Sequence, residues 1–165
     1  MEILIYPKDE LALRYKCHKI YHDIDLVKPI GTSIGSMPFL NDEVKNLSSV
    51  LLKSEGIGLA SNQIGGHVRV FVMLRSIENR QTVCAFIDPV ITPLKEYGRN
   101  VVSEGCLSLP FMRVSTARWN CISIKYVDVY GVLRQETLSY EESVCAQHEF
   151  DHLNGRLIID TDFVS

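Results

Sequence analysis

Residues 147–155 read "QHEFDHLNG" and hold the densest chemistry in the chain. Two histidines, His148 and His152, stand four residues apart, and Glu149 directly follows the first. On a helix that spacing is about one turn, so both imidazoles face one point and can ligate one ion. Glu149 projects about 100° away from His148, which suits a neighbour of metal-held water better than a ligand. Zn²⁺ or Fe²⁺ in such a site lowers the pKa of its water toward about 7, and a nearby carboxylate can take the proton. The bland alternative is a solvated helix face with two idle histidines.

A hydrolytic site of this kind needs a third protein ligand and one open position. Downstream the chain offers little. Ile158 stands three residues beyond Gly155, where some zinc peptidases carry a third histidine, and Asp160 and Asp162 are the only later carboxylates. The third ligand is therefore expected upstream. Cys106, in "SEGCLSLP" (103–110), stands out because it lies between Gly105 and a short apolar alternation, so its backbone can run extended past a site. A thiolate beside two imidazoles suits a divalent transition metal. His18, His22, His67, Cys17, Cys84, Cys121 and Cys145 compete, although most resemble ordinary core thiols or surface histidines. Cys145 sits three residues before His148, where a third ligand from one helix would strain a tetrahedron. It reads as pocket wall.

The elements that must position these groups leave clear marks. Ser139 followed by Glu142 forms a capping-box pattern and Gly155 suits a left-handed stop, so a helix is expected over 140–154. Leu40, Val44, Leu47 and Leu51 recur at helical spacing, with Asn41 or Asp42 as cap and Gly56 as terminator. That predicts a helix over 42–54. Residues 68–74 and 84–91 read as strands, 121–138 as a hairpin turning at Tyr130–Gly131, and 27–39 as an extended loop. The fold class expected is α+β, with short antiparallel sheets around a central helix that carries the histidines.

At 165 residues, with 46% hydrophobic and 22% charged residues, the chain is expected to form one domain, 1–165. A net charge of −3 with scattered basic residues argues against nucleic-acid binding. Its apolar runs are too short for a membrane span, and the N-terminus lacks a signal-peptide pattern. Five cysteines without a CxxC fit reduced thiols and a cytoplasmic setting.

Three segments together resemble one family. "GIGLASNQ" (56–63), "EGCLS" (104–108) and "QHEFDH" (147–152) are similar, in order and spacing, to the three motifs of peptide deformylases. "ILIYPKDELALR" and "YVDVYG" also fit, so the likeness spans nearly the whole chain. The resemblance implies Cys106, His148 and His152 as metal ligands, with Fe²⁺ as native ion and Zn²⁺ or Ni²⁺ as substitutes. It implies Glu149 as general base, and Gln63 and the Leu107 amide as oxyanion donors. Ile57, Gly58, Gly105 and Arg113 would lie along the substrate. Val102, Val144 and Cys145 would wall the methionine pocket. Glu104 and Arg118 would form a buried ion pair behind the metal.

The implied reaction is hydrolysis of the N-formyl group from the formylmethionine of nascent polypeptides, with release of formate. The implied setting is a bacterial-type translation system, phage-encoded versions included, and the protein is expected to be a monomer. Ser61 and Asn62 depart from the family pattern and are expected to add polar groups near the cleft, while Glu141 stands where the family often has an apolar residue near the methionine pocket and is expected either to narrow or polarise that pocket or to point to solvent in the first helical turn. The family's C-terminal ribosome-docking helix has no counterpart after Gly155. Two rivals stand: a metallopeptidase built on the same helix, and a binding domain with a closed structural metal shell.

Overall fold

The computed structural model describes residues 1–21 and 38–161. In chain order the main elements are α1 (Glu10–Leu13), α2 (Pro38–Leu51), β1 (Gly58–Ala60), a 3₁₀ turn (Ser61–Ile64), β2 (Val70–Ile77) and β3 (Arg80–Pro93). They continue with β4 (Arg99–Cys106), β5 (Leu109–Trp119), β6 (Cys121–Val127), β7 (Leu133–Ser139) and α3 (Tyr140–Leu153). Two antiparallel sheets result, one ordered β1-β2-β3-β6-β7 and one made of β4 and β5 alone.

Strand β2 explains how the larger sheet is covered on both faces. Its residues Val70 to Met73 are all buried, and alternate side chains point to opposite faces of a strand. Phe71 and Met73 join Phe86, Ile122, Ile124 and Leu138 beneath Ala146 and Leu153 of α3. Val70 and Val72 join Ile87 and Val127 beneath Leu40, Leu47 and Leu51 of α2. The sheet is thus packed between α2 and α3. A third cluster, Leu13, Leu109, Val114, Leu157 and Ile158, seats the small sheet on the two ends of the described chain.

Element types agree with the sequence reading, and the boundaries differ for physical reasons. Helix α2 begins at Pro38, whose fixed φ suits a first helical position, so Asn41 and Asp42 lie inside the helix and do not cap it. It ends at Leu51, where the Ser54 amide and hydroxyl both donate to the Leu51 carbonyl. Of the expected loop 27–39, residues 27–37 lie outside the described residues, and Pro38 and Phe39 belong to α2. Strands β2 and β3 run on toward each other and meet at Glu78–Asn79, where both φ are positive, as a two-residue hairpin turn requires. In β3 the register shifts between Ile87 and Val90, around Asp88–Pro89, because proline cannot donate to the ladder.

The expected capping box at α3 does not form. Ser139 makes no side-chain cap bond, and Glu142 turns away to pair with Arg75, at 2.9 and 3.1 Å. A forked guanidinium–carboxylate pair is stronger than a reciprocal bond to a backbone amide. The hairpin over 121–138 is present as β6 and β7, and its loop is organised by Asp128, which accepts from the amides of Tyr130 and Val132. Gly155 follows α3 with φ of 71°, and a Cβ there would stand 2.1 Å from the Arg14 carbonyl oxygen.

Candidate active site

The histidines and the cysteine arrive from different elements and converge. Helix α3 carries His148 and His152, whose Nε2 atoms are 3.2 Å apart. Cys106 ends β4, and its Sγ lies 3.2 Å from His152 Nε2. The three ligand atoms fall within 4.8 Å of one another, the one such group among the described residues. Ligands at tetrahedral angles around zinc, with bonds of about 2.0–2.1 Å to nitrogen and 2.3 Å to sulfur, would stand about 3.3–3.6 Å apart. The donor set therefore fits a divalent transition ion. The other candidate ligands stand elsewhere: His18 and His67 group with Tyr15, and Cys17 is in the core. Asp160 binds Arg14, while His22 and Asp162 lie outside the described residues.

The two histidines are held differently. His148 Nδ1 bonds Glu104 Oε2 at 2.7 Å, which aims Nε2 at the convergence point. Glu104 in turn accepts from Arg118 at 2.6 and 3.2 Å and from the Thr116 hydroxyl, and Arg118 reaches Asp151 at 2.6 Å. Burial pushes the Glu104 carboxyl up, but the bonds from His148, Arg118 and Thr116 outweigh it and hold the pKa at about 2. His152 is oriented by packing instead: it is 1% exposed and its Nδ1 has no hydrogen-bond partner among the described residues. Two imidazoles this close do not both charge. Burial opposes charge on His148, yet Cys106 and the bonded Glu104 beside it raise its pKa to about 10. Burial, with the charge of His148, drives His152 well down.

Glu149 is 4% exposed and its Oε2 has no partner among the described residues. Burial raises its pKa to about 7, with the His148 charge pulling the other way. Gly58 of β1 makes room for it: a Cβ there would stand 2.5 Å from Glu149 Oε1 and 2.6 Å from Cys145 Sγ. The glycine is needed by the carboxylate as much as by any substrate.

Gln63 closes the constellation from the 3₁₀ turn. Its Oε1 accepts from the Ala60 amide at 2.8 Å, which fixes the orientation of the amide group. Its Nε2 then donates to Ser108 Oγ at 3.1 Å and lies 3.8 Å from Cys106 Sγ. Leu107, next to Cys106, packs its side chain against Gly56.

These groups end in a cleft of about 1140 Å³. Ile57, Gly58, Val102, Gly105, Arg113, Val144 and Cys145 all line it, as do Gln63, Leu107 and Glu141. Ser61 and Asn62 do not. Both are fully buried, Ser61 against Glu43, and Asn62 donating to the carbonyls of Leu13 at 2.9 Å and His152 at 2.6 Å. The expectation that they add polarity near the cleft is corrected: they brace the interior.

Sequence reasoning passed over several supports. Asp151, Thr116 and Ser108 complete the networks above. Gln147 clamps α3 to the end of β5 by accepting from the Trp119 amide at 3.0 Å and donating to its carbonyl at 2.9 Å. Gln147 and Asp151 stood inside the quoted motif, and the motif was their only signal.

A cleft ending on Cys106, His148 and the buried glutamate of an HExxH helix, with His152 against both ligands, defines a metal-dependent hydrolase site. Residues 1–162 match the family model described as Polypeptide deformylase, and the chain belongs to that family of metallohydrolases, which remove the N-formyl group from nascent chains. A peptide deformylase of Karelsulcia muelleri (strain GWSS) is 34% identical over 169 aligned positions, covering 99% of this chain and 79% of that protein. A probable peptide deformylase from Synechococcus phage S-SSM7 superposes with a TM-score of 0.79 at 26% identity, covering 98% of this chain and 99% of that one. The Thermotoga maritima peptide deformylase gives 0.76 at 30%, covering 97% and 95%. The fold shared with them is one of antiparallel sheets and few helices.

Proposed function

We propose that this chain, acting as one catalytic domain, hydrolyses the N-formyl group of N-terminal formylmethionine on new polypeptides. In this reading α3, enclosed by β1, β2 and β5, is the central support. The observation that carries it is the convergence of Cys106, His148 and His152 beside an unpartnered, buried Glu149. An ion held by those three residues, with Fe²⁺ as the native choice and Zn²⁺ or Ni²⁺ as substitutes, supplies a Lewis acid and acidified water.

The chain's own groups do the rest. Glu149, whose buried Oε2 has no partner among the described residues, takes a proton from the attacking water. It then returns the proton to the leaving amine, and formate departs. Gln63 Nε2 and the Leu107 amide donate to the developing oxyanion. Val102, Val144 and Cys145 hold the methionine side chain, and Ile57, Gly58, Gly105 and Arg113 run along the peptide. The setting proposed is the cytoplasm of a bacterial-type translation system, a reading supported by the bacterial and phage relatives. A monomer is the state proposed.

Formyl-Met-Ala and unblocked Met-Ala-Ser, offered to Fe²⁺-loaded protein under anaerobic conditions, test the reading. Formate appears from the first and the second stays intact. Cleavage of the unblocked peptide would support a peptidase instead. Glu149→Ala keeps bound metal by elemental analysis and loses activity at least about a thousandfold. A variant that retains near-parent turnover would remove Glu149 from its role.

A further inference from the structure

The cleft carries more charge than the reaction uses. Of its charged lining, Glu104 is committed to Arg118 and His148, and Glu149 is buried at the floor. Three side chains remain toward solvent: Glu55, Arg113 and Glu141. Arg113 is tied to its own hairpin through Ser103, with Nε on Oγ at 3.1 Å and a terminal nitrogen on the backbone oxygen at 2.7 Å. It lies beside Gly105, and Glu55 precedes Gly56, which packs on Leu107; both therefore stand near the metal end, with opposite signs. Glu141 stands in the first turn of α3. Among the described residues it makes no hydrogen bond or ion pair.

Its place on α3 fixes what it can meet. Glu141, His148 and His152 are spaced i, i+7 and i+11, so each histidine falls within about 20° of Glu141 around the helix. Glu141 therefore shares the stripe of the metal ligands, about 10 Å up the axis from His148 at ~1.5 Å per residue. Val144 and Cys145 lie between. An extended peptide covers that distance in about three residues at ~3.3 Å each. That the cleft takes a ligand is indicated separately by the buried, unpartnered Glu149 Oε2 at its floor.

We propose that Glu141 is a specificity residue that selects substrates with a basic side chain at the second or third residue, counting the formylated methionine as the first. The proposal rests on the deformylase reading above. A carboxylate one to two turns from the ligands attracts an ammonium or guanidinium group and repels a carboxylate. In a half-open cleft each effect is modest, so the contrast between lysine and glutamate substrates is about fivefold.

The test measures kcat/KM by formate release for formyl-Met-Lys-Ser, formyl-Met-Glu-Ser, formyl-Met-Ser-Lys and formyl-Met-Ser-Glu at low and high salt. The Lys/Glu ratio is about five at one of the two positions in the parent and falls toward one in 0.5 M NaCl. In Glu141→Gln the ratio falls to one at low salt, and in Glu141→Lys it inverts. Glu78→Gln, on the distant β2–β3 turn, leaves both rates and the ratio as in the parent. A ratio of one in the parent, or a ratio that survives Glu141→Gln, overturns the proposal. If no formyl peptide is turned over, the deformylase reading fails instead. The charge preference is then decided by the affinities of Met-Lys-Ser against Met-Glu-Ser and of Met-Ser-Lys against Met-Ser-Glu for the metal-loaded protein, equal affinities in both pairs overturning it.

Discussion

The two sheets of this molecule are built on opposite economies. The five-stranded sheet buries apolar side chains on both faces, keeps a regular register through β2–β3 and β6–β7, and stacks Phe71 on Phe86 at 4.6 Å. The β4–β5 pair is polar behind and irregular at its tip. Its register shifts at Gly105–Cys106, Phe111 takes a φ of 68°, and a glutamate and an arginine fill the space behind Cys106. The large sheet stores stability, whereas the small one spends backbone regularity on aiming a thiolate and an imidazole. Local irregularity of this kind survives where a rigid neighbour over-determines it.

Substitutions in the two sheets should separate these duties. Phe71→Ala opens a fully buried site on the large sheet and is expected to lower unfolding stability by about 4 kcal/mol in urea titration. At low temperature, where it is still folded, its metal affinity stays near that of the parent. Arg118→Met strands the Glu104 and Asp151 carboxylates and is expected to cost about 3 kcal/mol. It also weakens metal binding about 10- to 100-fold, read by competition with a chromophoric chelator, because His148 loses its brace. Equal metal affinity in the two variants would erase the distinction between the sheets.

The metal-free protein gives a finer contrast through pH. Glu104 has its pKa depressed from 4.5 to about 2 on folding. Its contribution is therefore present in full above pH 4.5 and is lost as pH falls toward 2. Glu104→Gln removes that dependence, so the variant's stability declines less steeply than the parent's between those values in acid denaturation followed by circular dichroism. Identical slopes would mean that the carboxylate is not held as described.

The comparison also explains what could be read in advance. Helix α3 was legible because His148, His152 and Gly155 obey helical spacing and stop chemistry, both local in sequence. Cys106 as partner was suggested by its extended setting and narrowed by the family motifs. The β4–β5 register and the supports Thr116, Asp151 and Ser108 depend on contacts between distant segments, which no local pattern encodes. Ser61 and Asn62 were misplaced because adjacency to a motif says nothing about which way a side chain turns in a 3₁₀ turn. The capping box at Ser139–Glu142 failed for a related reason. Arg75, more than sixty residues away, offered Glu142 a better partner.

The claim beneath all of this is that β4 and α3 deliver one sulfur and two imidazoles to a single ion. X-ray absorption at the K-edge of Zn²⁺ or Fe²⁺ reconstituted into the protein tests it most directly. The account predicts, for zinc, one sulfur at about 2.3 Å and two imidazole nitrogens at about 2.0–2.1 Å, with the sulfur shell absent in Cys106→Ser. A coordination shell without sulfur in the parent, or a sulfur shell that persists in Cys106→Ser, would contradict it.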